Sequence, residues 1–267
     1  MAGNPILFLD SGVGGLPYCH HFRQRNPRQG VVYIADRLRF PYGGRNRDEL
    51  VAILSDLVEG AVKIFNPKIA VLACNTASIS ALSELRGRFA ALPFVGTVPA
   101  VKPATLASKT GKIGVLGTEL TVNEPYIREL VAENGGGEII GIAAPDIVDF
   151  IERRFDSASQ DEKAAIVRDY VRRFRRAGVD VLVLGCTHFL FLLDEFKQEA
   201  APDITVFDSV RGVTRRVESL LNDIMSSNGR DTPAPNRLVL TGSRPPEPSW
   251  LYRAGRLGFS VSLLDEA

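Results

Sequence analysis

Two cysteines hold the most specific chemistry in this sequence: Cys74 within Val71-Leu-Ala-Cys-Asn-Thr-Ala-Ser78, and Cys186 within Val183-Leu-Gly-Cys-Thr-His188. Each closes an apolar run that reads as a buried parallel strand, and each is followed at once by hydrogen-bonding residues. Loops after the carboxyl ends of strands are where open α/β sheets bind ligands. A thiol delivered there can ligate a metal, form a disulfide, lie inert in the core or carry a proton.

Spacing weighs on these alternatives. The chain has three Cys and three His, with no Cys-x-x-Cys pair, which disfavours structural zinc and a redox dithiol. So sparse and odd a count also argues against a disulfide framework and fits a reducing cytoplasm. Unpaired cysteines are often simply buried. However, Asn75 and Thr76 after one thiol, and Thr187 and His188 after the other, make surroundings unlike an apolar core. His188, two residues beyond Cys186, could activate or orient that thiol. Cys19, His20 and His21 fall in the first helical segment and read as structural.

A third candidate is Asp10-Ser-Gly-Val-Gly-Gly15, at the end of the first strand. Pro17 stands where a dinucleotide fingerprint needs its last glycine, and there is no Walker-type Gly-Lys-Ser/Thr. The glycines are expected either to let backbone N–H groups approach a small anion such as a carboxylate near a helix N-terminus, or only to make a tight turn. Asp10 has no use in an apolar core unless it is paired.

These residues require an alternating βα scaffold. Strands are expected at Ile6–Leu9, Val31–Ala35, Ile69–Ala73, Ile113–Leu116, Glu138–Ile142, Val179–Leu184, Thr205–Phe207, Arg237–Leu240 and Ser260–Leu263. The clearest helix places Leu50, Ile53, Leu54, Leu57, Val58, Ala61, Val62 and Phe65 on one stripe, capped near Asp48 and stopped by Asn66-Pro67. Further helical patterns cover 121–134, 145–155, 160–177 and 210–224. Ile6-Leu-Phe-Leu-Asp-Ser11 is echoed by Ile113-Gly-Val-Leu-Gly-Thr118, each followed at similar spacing by a strand ending in cysteine. The pattern predicts two similar doubly wound α/β lobes with mostly parallel sheets and the active site in the cleft between them. The lobes are expected at 1–98 plus 208–267, carrying Cys74, and at 99–207, carrying Cys186. Gly96–Pro103 reads as a linker and Met225–Asn236 as a surface connection.

At 267 residues the chain can bury a sizeable core, and 32 basic against 31 acidic residues leave a net charge of only +1. That balance gives no footprint for nucleic acid. The cluster Arg172-Arg173-Phe174-Arg175-Arg176 reads as a solvated helix face. No apolar run approaches the roughly 20 residues of a membrane span, and no signal peptide is expected. The chain is expected to be cytoplasmic.

Several motifs together resemble glutamate racemase, a member of the cofactor-independent aspartate/glutamate racemases: Phe8-Leu-Asp-Ser-Gly-Val-Gly-Gly-Leu16, the Ala35-Asp36 to Phe40-Pro-Tyr-Gly43 segment, Ala73-Cys-Asn-Thr-Ala-Ser78, Val98-Pro-Ala-Val-Lys-Pro103 and Gly185-Cys-Thr-His-Phe189. They run in family order from about residue 5 to the C-terminus. The resemblance implies racemisation of L- and D-glutamate by two bases, with Cys74 assigned to D-glutamate and Cys186 to L-glutamate. It also implies a supply of D-glutamate for peptidoglycan, with no cofactor and no metal. Asp10, Ser11, Pro41, Tyr42, Gly43, Asn75 and Thr76 match positions that hold substrate from the first lobe; Thr118, Thr121 and Thr187 match those from the second. Asp10 with Asp36, and His188 with Glu152, are the implied proton partners, with His188 also counted among the substrate contacts. Glutamate is the expected small-molecule partner and a homodimer the expected assembly; neither nucleic acid nor membrane is expected. Leu190, Pro17, Ala144 and Asn123 depart from the family pattern without removing a group the chemistry needs. The alternatives are a related enzyme acting on aspartate or another acidic substrate, and a ligand-binding protein that has kept the fold.

Overall fold

The computed structural model describes residues 4–228 and 235–264. The chain opens with β1 (Ile6–Asp10), α1 (Leu16–Arg25), β2 (Val31–Ala35), a 3₁₀ turn (Tyr42–Gly44), α2 (Arg47–Phe65), β3 (Ile69–Leu72), α3 (Asn75–Arg88) and β4 (Phe94–Gly96). It continues through α4 (Val101–Ala107), β5 (Lys112–Gly117), α5 (Glu119–Asn123), α6 (Pro125–Glu133), β6 (Glu138–Ala143), α7 (Pro145–Arg153) and α8 (Gln160–Arg176). β7 (Val181–Leu184), a 3₁₀ helix (Thr187–Leu192), α9 (Leu193–Ala200) and β8 (Thr205–Phe207) follow. The last elements are α10 (Val210–Asn228), β9 (Arg237–Thr241), α11 (Pro248–Leu257) and β10 (Ser260–Leu264).

Two compact units result: residues up to Thr97 together with those from Val210 onward, and Val98–Ser209. The first holds a six-stranded sheet in the order β10-β9-β2-β1-β3-β4, the second a four-stranded sheet in the order β6-β5-β7-β8. All pairings are parallel. The two sheets share one winding: the second strand lies outside the first, and the third returns to its other side. Each sheet therefore has a topological switch point, between β1 and β3 and between β5 and β7, where ligands bind beyond the strand ends. Cys74 follows β3 and Cys186 follows β7, which puts each thiol at its sheet's switch point.

Alternation along the strands decides what covers each face. In the first unit Leu7, Leu9, Val32, Ile34, Ala70 and Leu72 pack under Leu50, Leu54, Leu57, Val58 and Ala61 of α2 and Ala77, Ala81 and Leu85 of α3. Each such buried Leu is worth about 1.5–3 kcal/mol. On the opposite face Phe8 meets Phe22 of α1, with ring centroids 5.8 Å apart. In the second unit Val101 and Ala104 of α4 and Ile127 and Val131 of α6 cover Ile113, Val115, Val181 and Val183. Phe174 of α8 presses so closely on β5 that a Cβ at Gly114 would stand 2.9 Å from its ring.

Several local expectations are corrected. The cap expected near Asp48 is Asn46, whose side chain accepts the Glu49 N–H at 2.9 Å, while Asp48 complements the dipole from the first turn. The 121–134 pattern is two helices, because Pro125 forces Glu124 into an extended conformation (φ −68°, ψ 124°). The 96–103 stretch is not all linker. α4 begins at Val101, and Pro103 sits in its first turn, where a missing N–H costs nothing. The three-residue β4 is too short for a periodic signal. α10 runs beyond the expected end at residue 224 into the connection expected at Met225–Asn236, of which 229–234 lie outside the described residues. Among the described residues no helix is long and apolar enough to cross a membrane.

Candidate active site

The first cluster gathers around Cys74. β1 delivers Asp10, wholly buried, with Oδ1 accepting the Gly12 N–H at 2.6 Å. The Tyr33 hydroxyl donates to the Gly12 carbonyl at 2.8 Å and accepts the Gly15 N–H at 3.1 Å. The loop thus spends two of its N–H groups internally, so the expected glycine-rich anion cradle is in part a stapled turn. Gly15 is required for another reason: a Cβ there would lie 2.6 Å from Cβ of Ala73. The pairing of β1 with β3 brings the end of β1 to the same residue, the Ala73 N–H bonding the Leu9 carbonyl at 2.7 Å just before Cys74.

Cys74 is the N-cap residue of α3, in extended conformation (φ −136°, ψ 123°), and no side chain caps this helix. The first intrahelical bond, Ser78 N–H to the Cys74 carbonyl, spans 2.9 Å, which leaves the N–H groups of the first turn outside the helical ladder. Asn75 and Thr76 occupy that turn, both buried. The Asn75 side chain is 2% exposed, and neither its Oδ1 nor its Nδ2 has a hydrogen-bond partner. A buried amide left unpaired costs about 1–3 kcal/mol, so such a group needs an explanation outside folding.

Asp36 follows β2, wholly buried, and its carboxylate accepts from the Tyr42 hydroxyl at 2.6 Å, from Thr241 Oγ1 at 2.7 Å and from Arg39 Nη1 at 3.2 Å. Burial first, and then the charge of Asp36, push the Tyr42 hydroxyl well above its ordinary range, with Cys74 and Asp10 adding to the effect. Tyr42 therefore stays a neutral donor. Pro41 and Gly43 flank it, Pro41 exposed and Gly43 half-buried.

The second cluster gathers around Cys186. Thr118 caps α5, its hydroxyl accepting the Thr121 N–H at 3.3 Å and lying 3.0 Å from the Thr121 hydroxyl. Thr121 is wholly buried where glycines admit it: a Cβ on Gly117 would sit 3.1 Å from its Cβ, and one on Gly185 3.3 Å from its methyl. Cys186 and Thr187 are buried at the start of the 3₁₀ helix. Cys186 Sγ lies 3.8 Å from His188 Nδ1, and His188 Nε2 lies 2.7 Å from Glu152 Oε1. Burial opposes a charge on this imidazole, but its bonds to Cys186 and Glu152 outweigh it and raise His188 well above its usual range. Each ring nitrogen therefore has a fixed partner, Nδ1 the thiol of Cys186 and Nε2 the carboxylate of Glu152.

The structure thus assembles Asp10, Ser11, Asp36, Tyr42, Cys74, Asn75 and Thr76 in one unit, and Thr118, Thr121, Glu152, Cys186, Thr187 and His188 in the other. Tyr33, Arg39 and Thr241 support these residues without having been expected from the sequence. Only Thr241, a hydroxyl at the carboxyl end of a strand, carried a legible signal. Cys19, His20 and His21 belong elsewhere. Cys19 is sealed in the core, where burial raises its thiol; His20 faces Gln24 at 2.9 Å and His21 faces Thr214 at 2.9 Å. Pro17 fits the first turn of α1, Ala144 is the buried N-cap of α7, Asn123 bonds the Glu119 carbonyl at 3.0 Å, and Leu190 is buried within the 3₁₀ helix. Among the described residues no three His, Cys, Asp or Glu side chains cluster as metal ligands would.

Parallel α/β units with a thiol and hydrogen-bonding groups at each switch point define a class, and the comparison with known proteins agrees. A family model described as Asp/Glu/Hydantoin racemase matches residues 25–217, and the chain belongs to that family. Its relatives are more specific. The chain is 41% identical over 210 residues to the glutamate racemase of Treponema pallidum subsp. pallidum, the match covering 78% of each protein. It is 39% identical over 252 residues to the glutamate racemase of Sphingopyxis alaskensis, covering 91% of each. Among solved structures, Escherichia coli glutamate racemase in complex with L-glutamate and the activator UDP-MurNAc-ala superimposes with a TM-score of 0.83 at 30% identity, over 99% of this chain and 98% of that one.

Proposed function

We propose that the protein is a glutamate racemase working by two-base proton transfer without a cofactor. The observation that carries this reading is the Asn75 amide, buried and unpartnered in the first turn of a helix that begins directly at Cys74. Helix N-termini bind carboxylates, and an amide waiting for a partner beside a thiol suits an amino acid whose α-carbon the sulfur must reach. The names of the relatives point to the same substrate.

In this mechanism the Cys186 thiolate takes the α-proton of L-glutamate, breaking the Cα–H bond, while the Cys74 thiol delivers its proton to the opposite face. The product is D-glutamate, with Cys186 protonated and Cys74 ionised. Reversal exchanges the roles. A thiol has an ordinary pKa of about 8.5, so both forms are accessible near neutrality, but sulfur alone is too weak a base for an α-proton. Preorganised donors around the substrate carboxylate must stabilise the developing carbanion: the N–H groups and Asn75 amide at the start of α3, together with the Thr187 hydroxyl. His188, held by Glu152 and raised well above its usual range, stands beside Cys186 as its proton partner, and Tyr42 shares a buried cluster with Cys74. A cytoplasmic location, a homodimer and the supply of D-glutamate to peptidoglycan complete the proposal.

Circular dichroism of the purified chain with L-glutamate, without pyridoxal phosphate or added metal, tests the reading. The signal should decay to zero as the racemate forms. A stable signal with glutamate but decay with aspartate would reassign the substrate, and a stable signal with both would refute racemisation.

A further inference from the structure

Thr241 lies at the end of β9, far along the chain from either cysteine, yet residues 36–38 hold it three times. Its hydroxyl accepts the Leu38 N–H at 3.1 Å and donates to Asp36 Oδ1 at 2.7 Å. Its carbonyl accepts Arg37 Nε at 3.0 Å. The Arg37 guanidinium also bonds the Pro245 carbonyl at 3.1 Å, Glu247 at 3.1 Å and the Arg244 carbonyl. Past this point the chain turns away at Gly242, whose positive φ of 86° suits glycine.

The Thr241 hydroxyl thus joins the two, accepting from the Leu38 N–H and giving its own proton to the Asp36 carboxylate. Asp36 then presents its other oxygen, Oδ2, to the Tyr42 hydroxyl at 2.6 Å. Tyr42 shares a buried cluster with Cys74. We infer that Thr241 is a positioning residue for the Cys74 cluster: through Asp36 it holds the Tyr42 ring against the thiol, which makes the pair β9 and β10 part of the catalytic support. This inference rests on the proposed racemase reading only for its kinetic consequence. The Thr241–Asp36–Tyr42 relay itself is a matter of geometry within one unit.

The test compares Thr241→Val, Thr241→Ser and Tyr42→Phe in the full chain, with three readouts: kcat and KM for L-glutamate, the iodoacetamide alkylation rate of each cysteine mapped by mass spectrometry, and Tm. Thr241→Val should lower kcat about tenfold, the scale of one hydrogen bond to a buried carboxylate, with KM little changed. Cys74 should be alkylated several-fold faster while Cys19 and Cys186 keep their wild-type rates. Thr241→Ser should restore both properties. Tyr42→Phe should reproduce the faster Cys74 alkylation, and adding Thr241→Val to it should change nothing more, because both act on one chain of bonds. A wild-type Cys74 rate in Thr241→Val, a common acceleration of all three thiols, effects that multiply in the double variant, or no rescue by serine would each overturn the inference. If Thr241→Val does not fold, Thr241→Ala carries the same comparison. A wild-type chain inert toward glutamate would defeat the racemase reading, while the alkylation rates would still decide the role of Thr241.

Discussion

Glu152 and His188 are 36 positions apart in the chain, yet Oε1 of the glutamate lies 2.7 Å from Nε2 of the imidazole. The other ring nitrogen faces Cys186 Sγ at 3.8 Å, so a carboxylate on α7 reaches the thiol through one histidine. The pair is almost fully withdrawn from water, with the two side chains only 5% and 13% exposed. At such burial the charge on His188 depends on Glu152 remaining in place.

Glu152→Gln should therefore remove one of the two partners that raise His188 and lower its pKa, visible as an acid shift in its NMR titration. The sign of the stability effect follows from linkage. A histidine raised above its unfolded value near 6.5 stabilises the fold fully below that pH, and the contribution is lost as pH rises through the folded pKa. The Tm deficit of the variant should thus be largest in mild acid and shrink toward alkaline pH. L- and D-glutamate have equal free energies, so kcat/KM must fall by the same factor in both directions. We expect about a hundredfold, the low end of general acid–base contributions. An unchanged His188 titration would contradict this account.

Cys74→Ala and Cys186→Ala should each reduce racemisation by at least about a thousandfold, followed by circular dichroism. In deuterated water the wild-type product enantiomer should carry deuterium at the α-carbon, since thiol protons exchange with solvent. Substantial turnover in either alanine variant would end the two-base reading.

Asn75→Leu should separate stability from function. The wild-type amide is buried without a partner, a cost of about 1–3 kcal/mol that a similar-sized apolar residue avoids. The Tm of the variant should match or exceed that of wild type, whereas KM for glutamate should rise at least about tenfold. Added L-glutamate should raise the wild-type Tm by mass action and leave the variant unmoved. A marked loss of Tm in the ligand-free variant would show that the amide serves folding instead.

Asp180 gives a prediction for the second unit. Its carboxylate accepts from Ser108 Oγ at 2.6 Å, the Lys109 N–H at 2.6 Å, and the Thr110 N–H and hydroxyl at 3.1 and 2.9 Å. Burial favours its protonated form, but these donors outweigh burial and bring the pKa down to about 2. A depressed carboxylate stabilises above its unfolded pKa, near 3.9, and loses that contribution as pH falls toward the folded value. Asp180→Asn should destabilise the fold at neutral pH by about 1 kcal/mol, solvent screening taking the rest, with the difference closing between about pH 4 and 2. Urea midpoints across that range would check it.

Much of the scaffold was legible in the chain. Val31–Ala35 and Thr205–Phe207 are strands at the expected bounds, and seven other expected strands lie within two residues of theirs, because short apolar β-branched runs between turn residues leave little alternative. The helix stripe from Leu50 to Phe65 buries as its period requires. β4 and α9 were not legible: β4 offers only Phe94 and Val95 before Gly96, and α9 continues the 3₁₀ run from Thr187 with no side-chain cap to mark its start.

The sequence by itself determined that two thiols follow two buried strands, each with polar neighbours, because local patterning is a property of adjacent residues. Only the tertiary structure decided what stands around them. Strand order placed each thiol at a switch point, Glu152 came to His188 across 36 residues, and Thr241 came to Asp36 across 205. Side-chain hydrogen bonds over such separations depend on which strands become neighbours, and that is settled by packing of the whole unit rather than by any local run.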